Sequence, residues 1–428
     1  MTVNLNLQSI NLLHCINLLA LKFLTLLIAV TVTKAGFSQT LIPLKFESLT
    51  INDGLSQGFV SSIIQDKKGF MWFGTSDGLN KYDGYKFTVY YHDPFDSTSV
   101  AEDDITCLFE DSQERLWVGT RHNGIDFFDR ENLLFSHFTH TGENSIRSNS
   151  ILNIAEDKTG AFWIRTDRGI DRLMISDKKS FDKNESQKNN FLFNHNFQFT
   201  HIKLDEESAN SQEIIPVKVF VDSRNYVFVI THKDILEINF NNEKNSYTVT
   251  KKYSLSEEDI IPTLIEDSIR HVFFLRTGNA VVKFSNYNFN TPQKIYQPDQ
   301  FKSEGIIDNR QMLWFGDKNK ICRINAQTGK VENIISADPV LAPFVNHTNS
   351  FCSDRNGIIW IGTSGFGILK FNPVKELFHH ILPDIVAYRL FQDINGDIIC
   401  NGIYAIMISN KQLISVDTLI KNFFGKIK

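Results

Sequence analysis

Ile63-Ile64-Gln65-Asp66-Lys67-Lys68-Gly69-Phe70-Met71-Trp72-Phe73-Gly74-Thr75-Ser76-Asp77-Gly78-Leu79-Asn80-Lys81-Tyr82-Asp83-Gly84 reads as a strand ending in Asp, a tight turn, and a strand carrying Trp and Gly-Thr. A second glycine turn follows, then a third strand closing on Tyr-Asp. The pattern returns from Asp111 to Trp117-Val118-Gly119-Thr120, from Asp157 to Trp163-Ile164-Arg165-Thr166, and from Asp354 to Trp360-Ile361-Gly362-Thr363. Asp308 to Trp314-Phe315-Gly316 is a trimmed copy. Worn copies pair Asp222 with Phe228, Asp267 with Phe273 and Asp393 with Ile399. In each copy the second residue follows the Asp by six positions, and all 5 Trp of the chain fall on that register.

Successive Asp positions lie 39 to 65 residues apart. That length suits a four-stranded propeller blade and exceeds one leucine-rich coil. The runs between turn residues are short, β-branched and aromatic, so the reading is all-β rather than helical. The Asp side chain can start a turn by accepting backbone N–H bonds two residues on. Gly69, Gly160 and Gly357, three residues later, suit a positive φ. The Trp suits the seam between packed blades. A residue that every blade demands is scaffold rather than catalyst.

The fold expected is a seven-bladed β-propeller of four-stranded blades over residues 40–386, with Asp66, Asp111, Asp157, Asp222, Asp267, Asp308 and Asp354 each marking one blade. Phe46 to Leu49 is expected to supply the outer strand of the last blade and close the ring. The eighth unit is surplus to one ring, so residues 387–428 read as the incomplete first blade of a second propeller. If the strand before each Asp is innermost, the Asp turns share one face of the disc. The Gly-Thr-x-x-Gly turns then share the other with the blade-to-blade connections, among them His92 to Asp104, Arg130 to Asn149 and Ile175 to Pro216. Variable loops on a rigid scaffold are where binding specificity sits. The insert from Asp177 to Asn196 reads as a surface loop or a lid over the ring.

The 428 residues are 42% hydrophobic with 36 Phe, enough for a large core, and the net charge of -5 comes without a Lys/Arg-rich block. Nucleic-acid binding therefore has no electrostatic support. Residues 1–39 have the layout of a secretory signal, an apolar run from Phe23 to Val32 behind Lys22, with cleavage expected between Ser38 and Thr40. The rival reading is an uncleaved anchor, since Leu12 to Val32 is long enough to span a bilayer. Cys15 leaves with the signal. Cys107, Cys322, Cys352 and Cys400 form no C-x-x-C pair and have no His at ligand spacing, so zinc is not indicated; a disulfide stays open in an exported protein but cannot be paired from the sequence. No nucleophile elbow, phosphate-binding loop, calcium loop or zinc-protease motif is present. His92, His122, His140, His201 and His232 read as solvated loop histidines. The chain carries no cofactor motif.

The run Leu49-Thr50-Ile51-Asn52-Asp53-Gly54-Leu55-Ser56, then Val60 through Asp66, then Gly69 through Gly84, resembles the opening of a hybrid two-component sensor of the Bacteroidetes type. The resemblance runs from Phe46 to Ile408 and is weakest in the fourth and fifth units. It implies a periplasmic sensor of two seven-bladed propellers, followed by an immunoglobulin-like domain, a membrane span and a histidine kinase, with homodimerisation through those later regions. It also implies an oligosaccharide or another polar ligand, read out as control of polysaccharide-utilisation genes. These 428 residues contain no kinase boxes, so no enzyme activity is expected of them. Ligand contacts are expected on the Gly-Thr-x-x-Gly turns, at Asp77, Arg121, His122, Asp167, Arg168, His232, Arg276, Lys318 and Phe366. Arg and His can fork to hydroxyls or a uronate carboxylate, and Phe366 can stack on a sugar ring. Two other classes stay open: a protein-interaction scaffold, and a propeller lyase or glycosidase.

Overall fold

The structure is a computed structural model. It describes residues 46–415 apart from 143, 178–194, 205–213, 256–261, 298–302, 319, 335–339, 374–386, 393–397, 403–405 and 410–411. The leader read at residues 1–39, the turn at Asp393 and the tail after Ser415 lie outside the described residues.

Seven four-stranded antiparallel sheets form a ring. Blades 1 to 6 are each built from four consecutive strands. Blade 7 takes Thr348–Ser353, Ile359–Thr363 and Ile368–Phe371 from the end of the ring, and its outer strand is Phe46–Leu49, with Phe46 opposite Phe371 and Leu49 opposite Ile368. The strand before each Asp is innermost: Val60–Gln65 touches both Ile105–Glu110 and Thr348–Ser353. Residues 373–428 are a separate compact unit. Within it Ala387–Gln392, Ile398–Gly402, Ile406–Ser409 and Gln412–Ser415 pair in chain order as an antiparallel sheet.

The six-residue Asp-to-Trp spacing is a hydrogen-bonding unit. Oδ2 of Asp66, Asp111 and Asp308 accepts the indole N–H of Trp72, Trp117 and Trp314 at 2.8 Å, and Asp157 and Asp354 do the same for Trp163 and Trp360. The other oxygen accepts turn N–H groups, such as those of Arg310 at 2.9 Å and Met312 at 2.8 Å on Asp308. These carboxylates are buried, and a buried acceptor without donors is costly. Blade 4 has Phe228 and no indole, and there the Arg224 guanidinium meets Asp222 Oδ2 instead.

The hydrophobic core is divided among the seams. Trp72 packs with Ile105, Leu116, Val118 and Phe128 of blade 2. Trp117 packs with Ile151, Phe162 and Ile164 of blade 3, and Trp360 with Val60, Ile63 and Phe73 of blade 1. Two residues after the Trp, glycine is needed for close approach: a Cβ on Gly119 would lie 2.8 Å from Ile151 Cγ2 of the next blade. Gly74, Gly316 and Gly362 hold the same place, whereas blade 3 has Arg165 there.

Blade 5 departs from the expected register. Its turn is one residue longer, so Asp267 pairs with Val272 and Ile265 with Phe274, whereas Ile64 pairs with Trp72 in blade 1. A one-residue slip turns every side chain to the other face. Phe274, not Phe273, therefore enters the seam with Leu313 and Phe315 of blade 6. Phe273 instead packs against Phe228 with ring centroids 5.5 Å apart. Arg276 consequently takes the position that Gly119 holds in blade 2.

A second departure concerns the long connection read from Ile175 to Pro216. The third strand of blade 3 runs on to Asp177, and His195–Ile202 is its fourth strand, with Asp177 opposite His195. The insert therefore leaves and rejoins a hairpin that opens on the Asp-turn face. The insert itself, residues 178–194, lies outside the described residues.

Candidate functional site

The connection face is tied down by a repeated device. Near the start of the third strand, Asn80, Asp126 and Asp171 are buried and accept the N–H of Ser56 at 2.9 Å, of Ala101 at 2.7 Å and of Arg147 at 2.7 Å. Each thus holds the connection entering its own blade. Threonine hydroxyls cap the neighbouring turns, as Thr120 Oγ1 donates to the Gly124 carbonyl at 2.8 Å. Turn and connection also share backbone bonds, Gly78 N to Asp103 O at 2.7 Å and Gly124 N to Asn149 O at 2.8 Å.

In blades 2 and 3 a histidine on the outer strand joins the carboxylate: His137 Nδ1 lies 2.7 Å from Asp126 Oδ1, and His201 Nδ1 lies 2.6 Å from Asp171 Oδ1. His201 is therefore part of a strand pair, not a solvated loop histidine. The hydrogen bond to Asp126 raises the His137 imidazole above its ordinary value, against burial, which lowers it. Burial pushes Asp126 up, with His137 pulling it down. Both groups bind protons more tightly in the folded chain, so both add stability that is lost as pH rises. For His137 that contribution is complete below the ordinary imidazole value of about 6.5 and disappears as pH passes through the raised folded value. The unfolding free energy of wild type minus that of His137→Gln is expected to be larger at pH 5.5 than at pH 8.5, by on the order of 1 kcal/mol for one charge-assisted bond. Urea titrations at the two pH values measure it, and a gap that stays constant would show that the imidazole does not titrate against Asp126.

Between blades 2 and 3 this face opens into a groove of about 280 Å³ lined by Arg121, His122, His140, Arg147, Ser148, Asn149, Ser150, Asp167 and Arg168. Four of the expected residues, Arg121, His122, Asp167 and Arg168, meet here. Arg121 is held by Asp104, Nε to Oδ2 at 2.6 Å, and the His122 N–H donates to Glu102 Oε2 at 2.6 Å. Arg147 is oriented by its Nη1 bond to the Arg168 carbonyl at 3.1 Å and its Nε contact with Asp171 at 3.5 Å. Gly169 beneath it has a φ of +135°, which L side chains rarely adopt, and a Cβ there would displace the Arg147 guanidinium. Among the described residues the Arg168 guanidinium has no carboxylate partner, and it is exposed. His140 Nδ1 bonds the Ile146 carbonyl at 2.7 Å, which leaves Nε2 to face outward.

The other expected residues lie elsewhere. Asp77, His232 and Lys318 are exposed on the turns of blades 1, 4 and 6. Phe366, 38% exposed, stands on blade 7 with its ring 4.8 Å from His347 and 6.0 Å from Phe344. Arg276 is not on a turn at all. It ends the strand Val272–Arg276, is buried, and donates through Nη2 to Thr263 Oγ1 at 3.2 Å. Sequence reasoning missed Arg147 and Asn149. The available signal was an offset: Arg147 stands ten residues before Asp157, as Ser56 and Ala101 stand before Asp66 and Asp111.

A second polar space, of about 260 Å³, lies on the ring axis. In six of the seven blades the residue four places before the Asp faces it, giving Ser62, Cys107, Asn153, Lys218, Glu304 and Ser350. Lys218 Nζ and Glu304 Oε2 form an ion pair at 2.7 Å, and about half of the Glu304 side chain (53%) faces the open channel. Arg165, from the glycine position of blade 3, also lines it and donates Nε to the Pro216 carbonyl at 2.8 Å. The Lys218 charge holds the Glu304 carboxyl below its ordinary value, with Arg276 and Arg165 adding to the pull. Burial lowers both guanidinium values, Arg276 to about 10. Cys107 and Cys352 are free thiols, each raised to about 12 by burial, and the buried Cys322 Sγ lies 3.2 Å from the Tyr296 hydroxyl. Among the described residues no group of three or more His, Cys, Asp or Glu is placed to hold a metal.

The two component regulator propeller family matches residues 54–77, 99–122 and 344–365, each stretch running from a connection through the Asp turn to the Gly-Thr turn. Three of the seven blades thus carry two-component regulator propeller repeats. A segment of 56 residues is 55% identical to histidine kinase P4 of Formosa agariphila, covering 13% of this chain and 4% of that protein. In structure the regulator propeller is similar to the extracellular domain assigned to a hybrid two component system of B. thetaiotaomicron, with a TM-score of 0.61 and 20% identity over 87% of this chain and 49% of that one. It is also similar to virginiamycin B lyase of Staphylococcus aureus, with a TM-score of 0.54 and 13% identity over 76% of this chain and 98% of that one. At these identities both likenesses concern the fold. The chain spans about half of the first solved relative and a small fraction of the kinase, so the kinase region of such proteins is not covered by these residues. No helix among the described residues is long and apolar enough to cross a membrane.

Proposed function

We propose that the regulator propeller is the extracytoplasmic, periplasmic sensing domain of a two-component system and that it recognises an acidic oligosaccharide in the groove between blades 2 and 3. The observation that carries this reading is the convergence of Arg121, Arg147 and Arg168 with His122, His140 and Asp167 on the connection face. Guanidinium groups fork to carboxylates, and Asp167 and Asn149 can hold sugar hydroxyls. Arg121 and Arg147 are oriented by partners in the ring, whereas Arg168 is uncommitted, so it is the group a uronate would engage first. Binding there bridges two blades, and the signal would pass as a change in how the ring sits against the regions that follow it. The groove holds the sugar and leaves its bonds intact.

Calorimetric titration of the full chain with a uronate oligosaccharide tests the reading. Arg168→Ala is expected to weaken binding about tenfold, the worth of one charge-assisted fork. Equal affinity in wild type and variant would remove the groove as the site. Shortening of the oligosaccharide during incubation would instead favour a lyase or glycosidase.

A further inference from the structure

We infer that the ligand site continues from the groove over the turn of blade 1 to a sugar-stacking platform on blade 7, made by Phe366 and His347. The inference rests on the groove reading above and deepens it: the ligand is a chain with one acidic end and a neutral remainder. The first observation concerns the turns between the second and third strands. Blade 7 alone places a Phe, Tyr or Trp there, in Ser364-Gly365-Phe366. Phe366 holds the place of Asn123 in blade 2, since its N–H donates to Thr363 Oγ1 at 3.0 Å as that of Asn123 does to Thr120 Oγ1 at 3.1 Å. The turn therefore fixes the backbone while the ring stays partly exposed. That ring rests on the exposed imidazole of His347, 4.8 Å away between centroids and tilted by 42°, and His347 Nδ1 is itself held 2.8 Å from the Pro343 carbonyl. Beside the ring, a Cβ on Gly365 would meet nothing within 4 Å, so the platform borders open space.

The second observation is that platform and groove belong to one rim. Ser364 N donates to His347 O at 2.8 Å and Gly365 N to Gly58 O at 3.1 Å. Ser56, two residues earlier, shares a hydroxyl bond of 2.9 Å with Thr75 at the blade 1 turn. From there Gly78 N reaches Asp103 O, Arg121 N reaches Asp104 O at 3.1 Å, and Gly124 N reaches Asn149 O in the groove. A rim already held by such bonds adds little ordering cost when a ligand lies along it. Charge then sorts the ligand. Between platform and groove, blade 1 presents the exposed Asp77 and the half-exposed Tyr91, whose ring lies against Gly78. Asp77 accepts sugar hydroxyls and repels a carboxylate, whereas Arg121, Arg147 and Arg168 stand at blades 2 and 3. A uronate therefore suits the groove end alone. At the other end the apolar C–H face of a neutral pyranose covers Phe366 and takes aromatic surface out of water.

The test is a calorimetric titration of the full chain with two probes, sodium glucuronate and xylotetraose carrying one terminal glucuronate. Wild type is expected to bind the longer probe at least tenfold more tightly. Phe366→Ala should lose about tenfold on the longer probe and nothing on glucuronate, and Phe366→Trp should keep the wild-type difference between them. Arg168→Ala should weaken both probes, because it removes the acid-binding end. If Phe366→Ala binds both probes as wild type does while Arg168→Ala weakens both, the groove stands and the platform is overturned. Equal losses on both probes in Phe366→Ala would also overturn it, since the ring would then act on the groove itself. If wild type binds neither probe, the groove reading falls and the platform falls with it.

Discussion

Replacing Asp308 by alanine is expected to lower the stability of the ring by about 3–5 kcal/mol, because three N–H donors lose their acceptor at once. They are the buried indole N–H of Trp314 and the turn N–H groups of Arg310 and Met312, all at 2.8 to 2.9 Å. Water can reach the turn but not the indole, since Trp314 is fully buried in the seam with Phe351, Ile359 and Ile361 of blade 7. The informative comparison is Asp222→Ala in blade 4. There the indole is absent, and the Arg224 guanidinium that replaces it can turn to solvent, its side chain being 37% exposed. That variant should lose about 1–2 kcal/mol less. Urea unfolding followed by tryptophan fluorescence measures both. Equal losses would mean that the buried Asp–Trp bond adds nothing beyond the turn it starts.

The same contrast explains how much of this molecule could be read from its sequence. A contact that every blade repeats leaves residues at fixed offsets from the Asp: the axis at minus four, the seam at plus six, the threonine cap at plus nine. The fold and its closing strand were legible because those contacts are the fold. The groove was half legible. Arg121 and Arg168 sit on turns that the repeat positions, whereas Arg147 reaches the site through Asp171, 24 residues away on a strand. The axis was not legible in chemistry, because the Lys218–Glu304 pair joins residues 86 apart in different blades. Arg276 was misplaced for a local reason. The extra residue in the Arg270-His271 turn shifts the strand by one, and a period of two converts that shift into an inverted face. Arg165 offered a visible signal, an arginine where the repeat asks for glycine. Its meaning needed the neighbouring blade.

Removing residues 1–49, so that the chain starts at Thr50, is expected to cost about 4–6 kcal/mol and to end cooperative unfolding of the ring as one unit. The estimate joins burial of the Phe46 ring, about 2–3 kcal/mol, to the loss of ladder hydrogen bonds at about 1 kcal/mol each. Phe46 lies buried with its ring centroid 5.4 Å from that of Phe371, which itself lies 5.4 Å from Trp314, so the closing strand is continuous with the seam between blades 6 and 7. The blade 7 turn also restrains the entry to blade 1, since the Gly367 N–H donates to Gly58 O at 2.9 Å. Without Phe46–Leu49 the ring keeps its sheets but is no longer latched by strands from both ends of the ring, and Ile368–Phe371 becomes an unpaired edge open to association. Phe46→Ala, which keeps the ladder, separates the two terms and should lose about 3 kcal/mol while unfolding remains cooperative. Denaturant titrations by fluorescence and circular dichroism test this directly. Coincident, unshifted transitions in the truncated chain would show that blade-to-blade packing alone closes the ring.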